Sequence, residues 1–175
     1  MQYFSVCQNP EYTNTVNFRI RVRNPLQRRQ EIKKEDVENI RGCFRFDVIS
    51  NPKNFYPDIL DVPIFLVSNI LVKVFKHYFE VDEFRSAMLM DVKNKQHHLY
   101  WLPIIKNVDC LHEETSWKKD GSLERTVLSA EKLNNHKIFR IPKVLEKTVI
   151  VHLEIAESIL RRNCTGVCIK PVDIV

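Results

Sequence analysis

The chain has only three glycines in 175 residues. None of GxGxxG, GxxxxGKS/T or GxSxG occurs, which removes the glycine-rich phosphate cradles and the strand-to-helix nucleophile elbow. The opening stretch, "MQYFSVCQNPEYTN", lacks a basic segment followed by an apolar one, so no secretory leader is expected. The longest apolar run, "VPIFLVSNILVKVF", holds Asn69 and Lys73 and is too short to cross a bilayer. A cytoplasmic location without membrane attachment is therefore expected, and the five cysteines, an odd number, read as reduced thiols instead of disulfides.

What is present suits one folded domain. The 44% hydrophobic and 28% charged residues are the balance of a chain that closes a core, and this length suffices for one. The net charge of +5 is unevenly placed: residues 1–56 hold ten Lys/Arg against six Asp/Glu, and residues 57–175 hold seventeen against sixteen. The basic excess of the first third hints at an anionic partner.

Hydropathy patterning predicts a mixed α+β chain. In "VNFRIRVRN", Val16, Phe18, Ile20 and Val22 alternate with Asn17, Arg19, Arg21 and Arg23, the period of a half-buried strand. Ile32, Val37 and Ile40 suit a short helix ended by Gly42, and "CFRFDVIS" alternates again. After a proline-punctuated connector, "PIFLV" reads as a strand and Ser68 as a helix N-cap, followed by an apolar stripe at Ile70, Leu71, Val74, Phe75 and Tyr78. "FRSAMLMDV" and "HHLYWLPII" form a hairpin around "KNKQ". The layout recurs in "TVIVHLEIAESILRRNCTGVCIKPV": an offset of 85 residues sets Phe65 over Ile150, Ile70 over Ile155 and Phe75 over Leu160. The expected fold is a mixed or antiparallel sheet with two strand–helix–strand units packing their helices on it.

Three groups of residues could carry chemistry. Cys164 and Cys168 are spaced CxxxC, but no second cysteine pair completes a tetrahedral site. A helix end accounts for them more simply: Arg161 and Arg162 suit the last turn, Asn163 and Gly166 suit left-handed turn positions, and Cys168 is a small residue on the exit strand. Adjacent His97 and His98 point to opposite faces of a strand and cannot readily share a metal. "DCLHEE" offers Asp109, Cys110, His112, Glu113 and Glu114 as a general base or ligand set; the plainer reading is a loop that tucks Cys110 and Leu111 inward.

Arg19, Arg21 and Arg23 would stand about 6.6 Å apart on one strand face, a ladder able to meet phosphates or carboxylates, or simply to face solvent. No aromatic interleaves with them as in single-strand binders, which counts against nucleic acid. Trp101 is expected in the core. Trp117, in the polar stretch "ETSWKKDGS", is either buried or an exposed interface anchor.

From Phe65 onward the succession "IFLVS", "LYWLPIIKNVDCLHEETS", "LSAEKL", "IFRI" and "TGVCIKPV" resembles a family of small bacterial immunity proteins encoded beside polymorphic toxins. The matching positions are Tyr100, Leu102, Val108, Asp109, Leu111, Ser116, Leu128, Glu131, Lys132, Leu133, Ile138, Phe139, Arg140, Thr165, Gly166, Pro171 and Val172. Cys168 and Ile169 stand where that family prefers a large apolar residue, and His152 where a serine is common. The resemblance spans residues 64–175, so the chain reads as one domain, 1–175, with a basic, more variable part over 1–60 and a family-like core over 61–175. It implies a cytoplasmic, non-enzymatic protein without a cofactor that binds and neutralises a cognate toxin. The arginine strand and the segment with Asp109, His112, Glu113, Glu114 and Trp117 are the candidate contacts, and nucleic-acid binding by the arginine strand is the alternative.

Overall fold

In the computed structural model, residues 1–19, 42–78, 84–145 and 148–175 are described. The helix expected over 30–41 and the arginine strand beyond Arg19 lie outside them. The strands are β1 (Tyr3–Gln8), β2 (Phe44–Asp47), β3 (Ile59–Leu60), β4 (Leu66–Val67), β5 (Phe84–Asp91), β6 (Gln96–Pro103), β7 (Ser116–Trp117), β8 (Leu123–Arg125), β9 (Val127–Leu128), β10 (Ile138–Arg140), β11 (Val149–His152) and β12 (Val167–Ile174). The helices are α1 (Asn69–Tyr78) and α2 (Leu153–Leu160), with a 3-10 turn at Ala130–Leu133. The result is a sheet-rich α+β fold.

Where one sheet was expected, the strands divide between two. The first runs β10-β11-β1-β12-β9, the second β2-β5-β6-β4-β3, and β7-β8 form a separate ribbon. The division follows from the two helical connections. β4 and β5 both run antiparallel to β6, which lies between them, and β11 and β12 both run antiparallel to β1 in the same way. Each strand–helix–strand unit thus leaves a gap one strand wide, filled by its own antiparallel strand, and each builds its own sheet.

The two units repeat at an offset of 84 residues, not 85. Ser68 and His152 occupy equivalent positions: the Val72 N–H donates to the Ser68 carbonyl at 3.0 Å, and His152 is the N-cap of α2, its Nδ1 accepting from the Glu154 N–H at 3.5 Å. At this offset the buried Leu71, Val72 and Phe75 fall on the buried Ile155, Ala156 and Ile159. The offset of 85 would pair Ile70, 42% exposed, with Ile155, 0% exposed, and Phe75, 0% exposed, with Leu160, 66% exposed. A helix stripe only 100° wide is turned off the core by a one-residue shift.

Both faces of β1 are covered. Val6, with Val149 and Val151, belongs to a buried cluster that also takes in Phe65 and Val67 of the second sheet's side and the apolar stripes of both helices. Tyr3, with Ile150, belongs to another cluster with Cys110, Leu128, Leu133 and Phe139. A third cluster fills the second sheet, and there Val16 and Phe18 join Phe44, Phe46, Leu89 and Leu102. Each fully buried side chain of this size contributes about 1.5–3 kcal/mol.

A polar node ties the halves together. The Asp58 N–H donates to the Thr165 carbonyl at 2.9 Å, and the Tyr100 hydroxyl donates to the Pro57 carbonyl at 2.6 Å. Gly166, at φ +65°, lies so close to Pro57 that a Cβ there would stand 2.4 Å from the proline Cβ.

Candidate functional site

The two candidate contact regions are anchored on different sheets. Arg19 belongs to a segment running beside β2: its N–H donates to the Asp47 carbonyl at 2.8 Å, and the Ile49 N–H donates to the Asn17 carbonyl at 2.8 Å. The expected alternation holds as far as the structure describes it, with Val16 and Phe18 buried and Asn17 and Arg19 exposed. Arg21 and Arg23 lie outside the described residues. Arg19 borders an open groove of about 550 Å³ also lined by Asp47, Val48, Ile49, Ser50, Val92 and Lys93.

The second region runs along β9 at the far edge of the first sheet. The His112 N–H donates to the Val127 carbonyl at 2.9 Å, and Thr115 Oγ1 donates to that carbonyl at 3.0 Å. Leu111 bridges to Leu128. These bonds fix the loop, tuck Cys110 fully inside and leave Asp109, Glu113 and Glu114 exposed and His112 half-buried. Burial, then the Asp109 carboxylate, pushes the Cys110 thiol up to about 11, so it stays protonated and unreactive at neutral pH. Lys132 reaches over the loop to the Leu111 carbonyl at 3.1 Å. The carboxylates of "DCLHEE" thus sit on a loop whose one buried nucleophile is inert. Among the described residues no three His, Cys, Asp or Glu side chains are grouped to hold a metal ion.

Trp117 follows on β7 and is 47% exposed. The ribbon under it is well held: the Lys118 N–H donates to the Ser122 carbonyl at 2.8 Å, and the Gly121 N–H to the Lys118 carbonyl at 3.0 Å. Trp101, by contrast, is half-buried against the cluster shared by the helices, and its indole N–H donates to the Asn69 side chain.

The cysteines of "NCTGVC" part company. Asn163 (φ +49°) and Gly166 (φ +65°) take the expected left-handed turns. Cys164 packs against the helix-side cluster, its thiol pushed up to about 11 by burial and then by Asp58. Cys168 sits directly opposite Cys7 of β1.

One polar constellation was not singled out from the sequence. Asp91, buried at the end of β5, accepts from the Ser50 hydroxyl in a short hydrogen bond, from the Asn94 N–H at 3.1 Å and from Asn94 Nδ2 at 2.9 Å. These bonds, Ser50's foremost, hold its carboxyl below the ordinary range. His98 stacks on Tyr56 with ring centroids 3.6 Å apart and planes at 17°. Burial, then His97, lowers its pKa, with Asp91 opposing. His97 is exposed, so the two imidazoles separate as their strand alternation requires. An aspartate three residues before an asparagine in "DVKN" is the turn-forming signal that marks this spot.

No described helix is long and apolar enough to cross a membrane. No protein-family model matches the chain, and no curated protein matches it.

Proposed function

We propose that this chain is a non-enzymatic immunity-type protein that binds and neutralises a cognate bacterial toxin in the cytoplasm. One observation carries the reading: a tryptophan, the residue type with the most contact area to offer a partner, stands 47% exposed on a ribbon fixed by its own hydrogen bonds. Exposed aromatics on a rigid frame dock with little loss of conformational freedom. Around it in sequence stand Glu113 and Glu114 on one side and Lys118 and Lys119 on the other, mixed charges suited to a polar rim. The Arg19 groove on the other sheet is a second contact region, and its basic character together with the net charge of +5 favours an acidic or largely apolar partner surface.

Co-expression with the toxin encoded alongside tests the proposal. A stable complex by size exclusion and rescue of toxin-arrested growth, both weakened by Trp117→Ala, support it; neither complex nor rescue overturns it. Binding to DNA or RNA that falls steeply with salt and is lost on Arg19→Ala would favour the nucleic-acid reading.

A further inference from the structure

Cys168 has a partner that lies at the opposite end of the chain. In the pairing of β1 with β12, Cys7 and Cys168 are directly opposed, with Ser5 facing Lys170 two residues further along. The Asn9 N–H donates to the Gly166 carbonyl at 2.9 Å. Two residues along the same ladder, Cys7 and Cys168 form a hydrogen-bonded pair, whose Cα atoms stand about 5.5 Å apart. That lies inside the span of about 4.4–6.8 Å that disulfides bridge. Both side chains project from the same face, both are half-buried, and Cys7 lines a cavity of about 240 Å³ with Ser5, Thr126, Thr148 and Lys170 among its walls.

We propose that Cys7 and Cys168 form a reversible cross-strand dithiol, closed to a disulfide by a small-molecule disulfide such as oxidised glutathione. One thiolate attacks the glutathione disulfide, forming a mixed disulfide and expelling one glutathione thiolate. The second cysteine then attacks the protein sulfur of that mixed disulfide and expels the other. Two protein thiols lose their protons and two electrons; the two glutathione thiolates take up both protons, and the oxidant's sulfur–sulfur bond is the one reduced. Cβ atoms at a directly opposed pair stand up to about 5.5 Å apart, wider than the ~3.8 Å of a relaxed bridge. Closure therefore draws the strands together, and the bond is correspondingly easy to reduce. Burial, followed by the neighbouring Cys168, pushes the Cys7 thiol up to about 11, so the exchange quickens as pH rises.

The test treats the full chain with oxidised glutathione at mildly alkaline pH, alkylates the remaining thiols and maps the peptides. The expected result is a linked peptide pair carrying Cys7 and Cys168, equal loss of alkylation at both, and full recovery with dithiothreitol. Cys43→Ser, which removes the exposed thiol, keeps the link; Cys7→Ser and Cys168→Ser, checked for folding by circular dichroism, abolish it. The wild-type map decides the matter even if those two variants do not fold. Cys7 and Cys168 both staying alkylatable while Cys43 takes up glutathione overturns the proposal. So does a stable mixed disulfide at either that never closes, or a link from either to another cysteine.

Discussion

The Asp58 carboxylate holds Thr165 twice, accepting from its backbone N–H at 2.7 Å and from its hydroxyl at 3.1 Å. The aspartate is buried beside β3 in the second sheet, and the threonine stands in the turn entering β12 of the first, so one side chain fastens the two halves. Asp58→Ala leaves the Thr165 N–H without its acceptor and should cost about 2–3 kcal/mol, as a lost hydrogen bond to a charged group does. Asp58→Asn keeps an acceptor and should recover part of that. Urea midpoints at constant slope measure both.

Gly166 carries a double constraint. A side chain there meets φ +65°, Pro57 Cβ at 2.4 Å and Phe55 Cε1 at 3.0 Å. Gly166→Ala should destabilise by about 2–4 kcal/mol, strain and overpacking together. Gly121→Ala, at φ +82° but with only Leu145 Cδ1 at 4.0 Å, should cost about 1 kcal/mol. Equal losses at the two glycines would refute the steric half of the argument.

The hairpin-end cluster predicts a two-stage acid limb. The folded chain holds His98 below its ordinary value, and its buried Nε2 has no hydrogen-bond partner among the described residues. The unfolded chain therefore binds this proton first: the stability is fully present above pH ~6.5 and is lost as pH falls from there through the lower folded value. Asp91, also held low, repeats this below pH ~4. His98→Gln should flatten the upper stage and Asp91→Asn the lower one, in urea midpoints taken at several pH values.

The offset of 84 residues between the two units is testable by paired truncations. Phe75→Ala and Ile155→Ala should each cost about 2–5 kcal/mol. Ile70→Ala and Leu160→Ala, at exposed positions, should stay within about 0.5 kcal/mol. Equal losses at Ile70 and Ile155, together with equal losses at Phe75 and Leu160, would restore the offset of 85.

Trp117→Ala separates binding from folding. Its exposure predicts a stability change within about 0.5 kcal/mol. If Trp117 is the docking anchor of the proposed toxin complex, the substitution costs about 2 kcal/mol of affinity, roughly thirtyfold, read by calorimetry.

Where the pattern was one-sided, the fold was legible. The β5–β6 hairpin, β2 and both described helices follow from alternation or a stripe, because one face of each meets the core and the other is more open. β1 was not legible for the opposite reason: with Tyr3 in one cluster and Val6 in another, it is covered on both sides, and "YFSVCQ" has no clean alternation to display. Yet it is the central strand of its sheet. Much of the motif set that carries the family resemblance has a structural explanation: Tyr100, Leu102, Leu128, Leu133 and Phe139 are core, while Thr165 and Gly166 build the node.

Of the candidate contacts, the sequence could say that Cys110 turns inward between charged neighbours, since a small apolar thiol among carboxylates has one economical place to go. It left Trp117 undecided between core and surface, because local composition carries no information about what packs against a two-residue strand. By itself the sequence determined the type of the one-sided elements, the turn positions at Asn163 and Gly166 and the uneven charge, all of which depend on neighbours a few residues away. Only the tertiary structure decided that two sheets form, that Asp58 meets Thr165 and that Cys168 faces Cys7 and not Cys164. Those relationships join residues far apart in the chain, and only folding brings such residues within reach of one another.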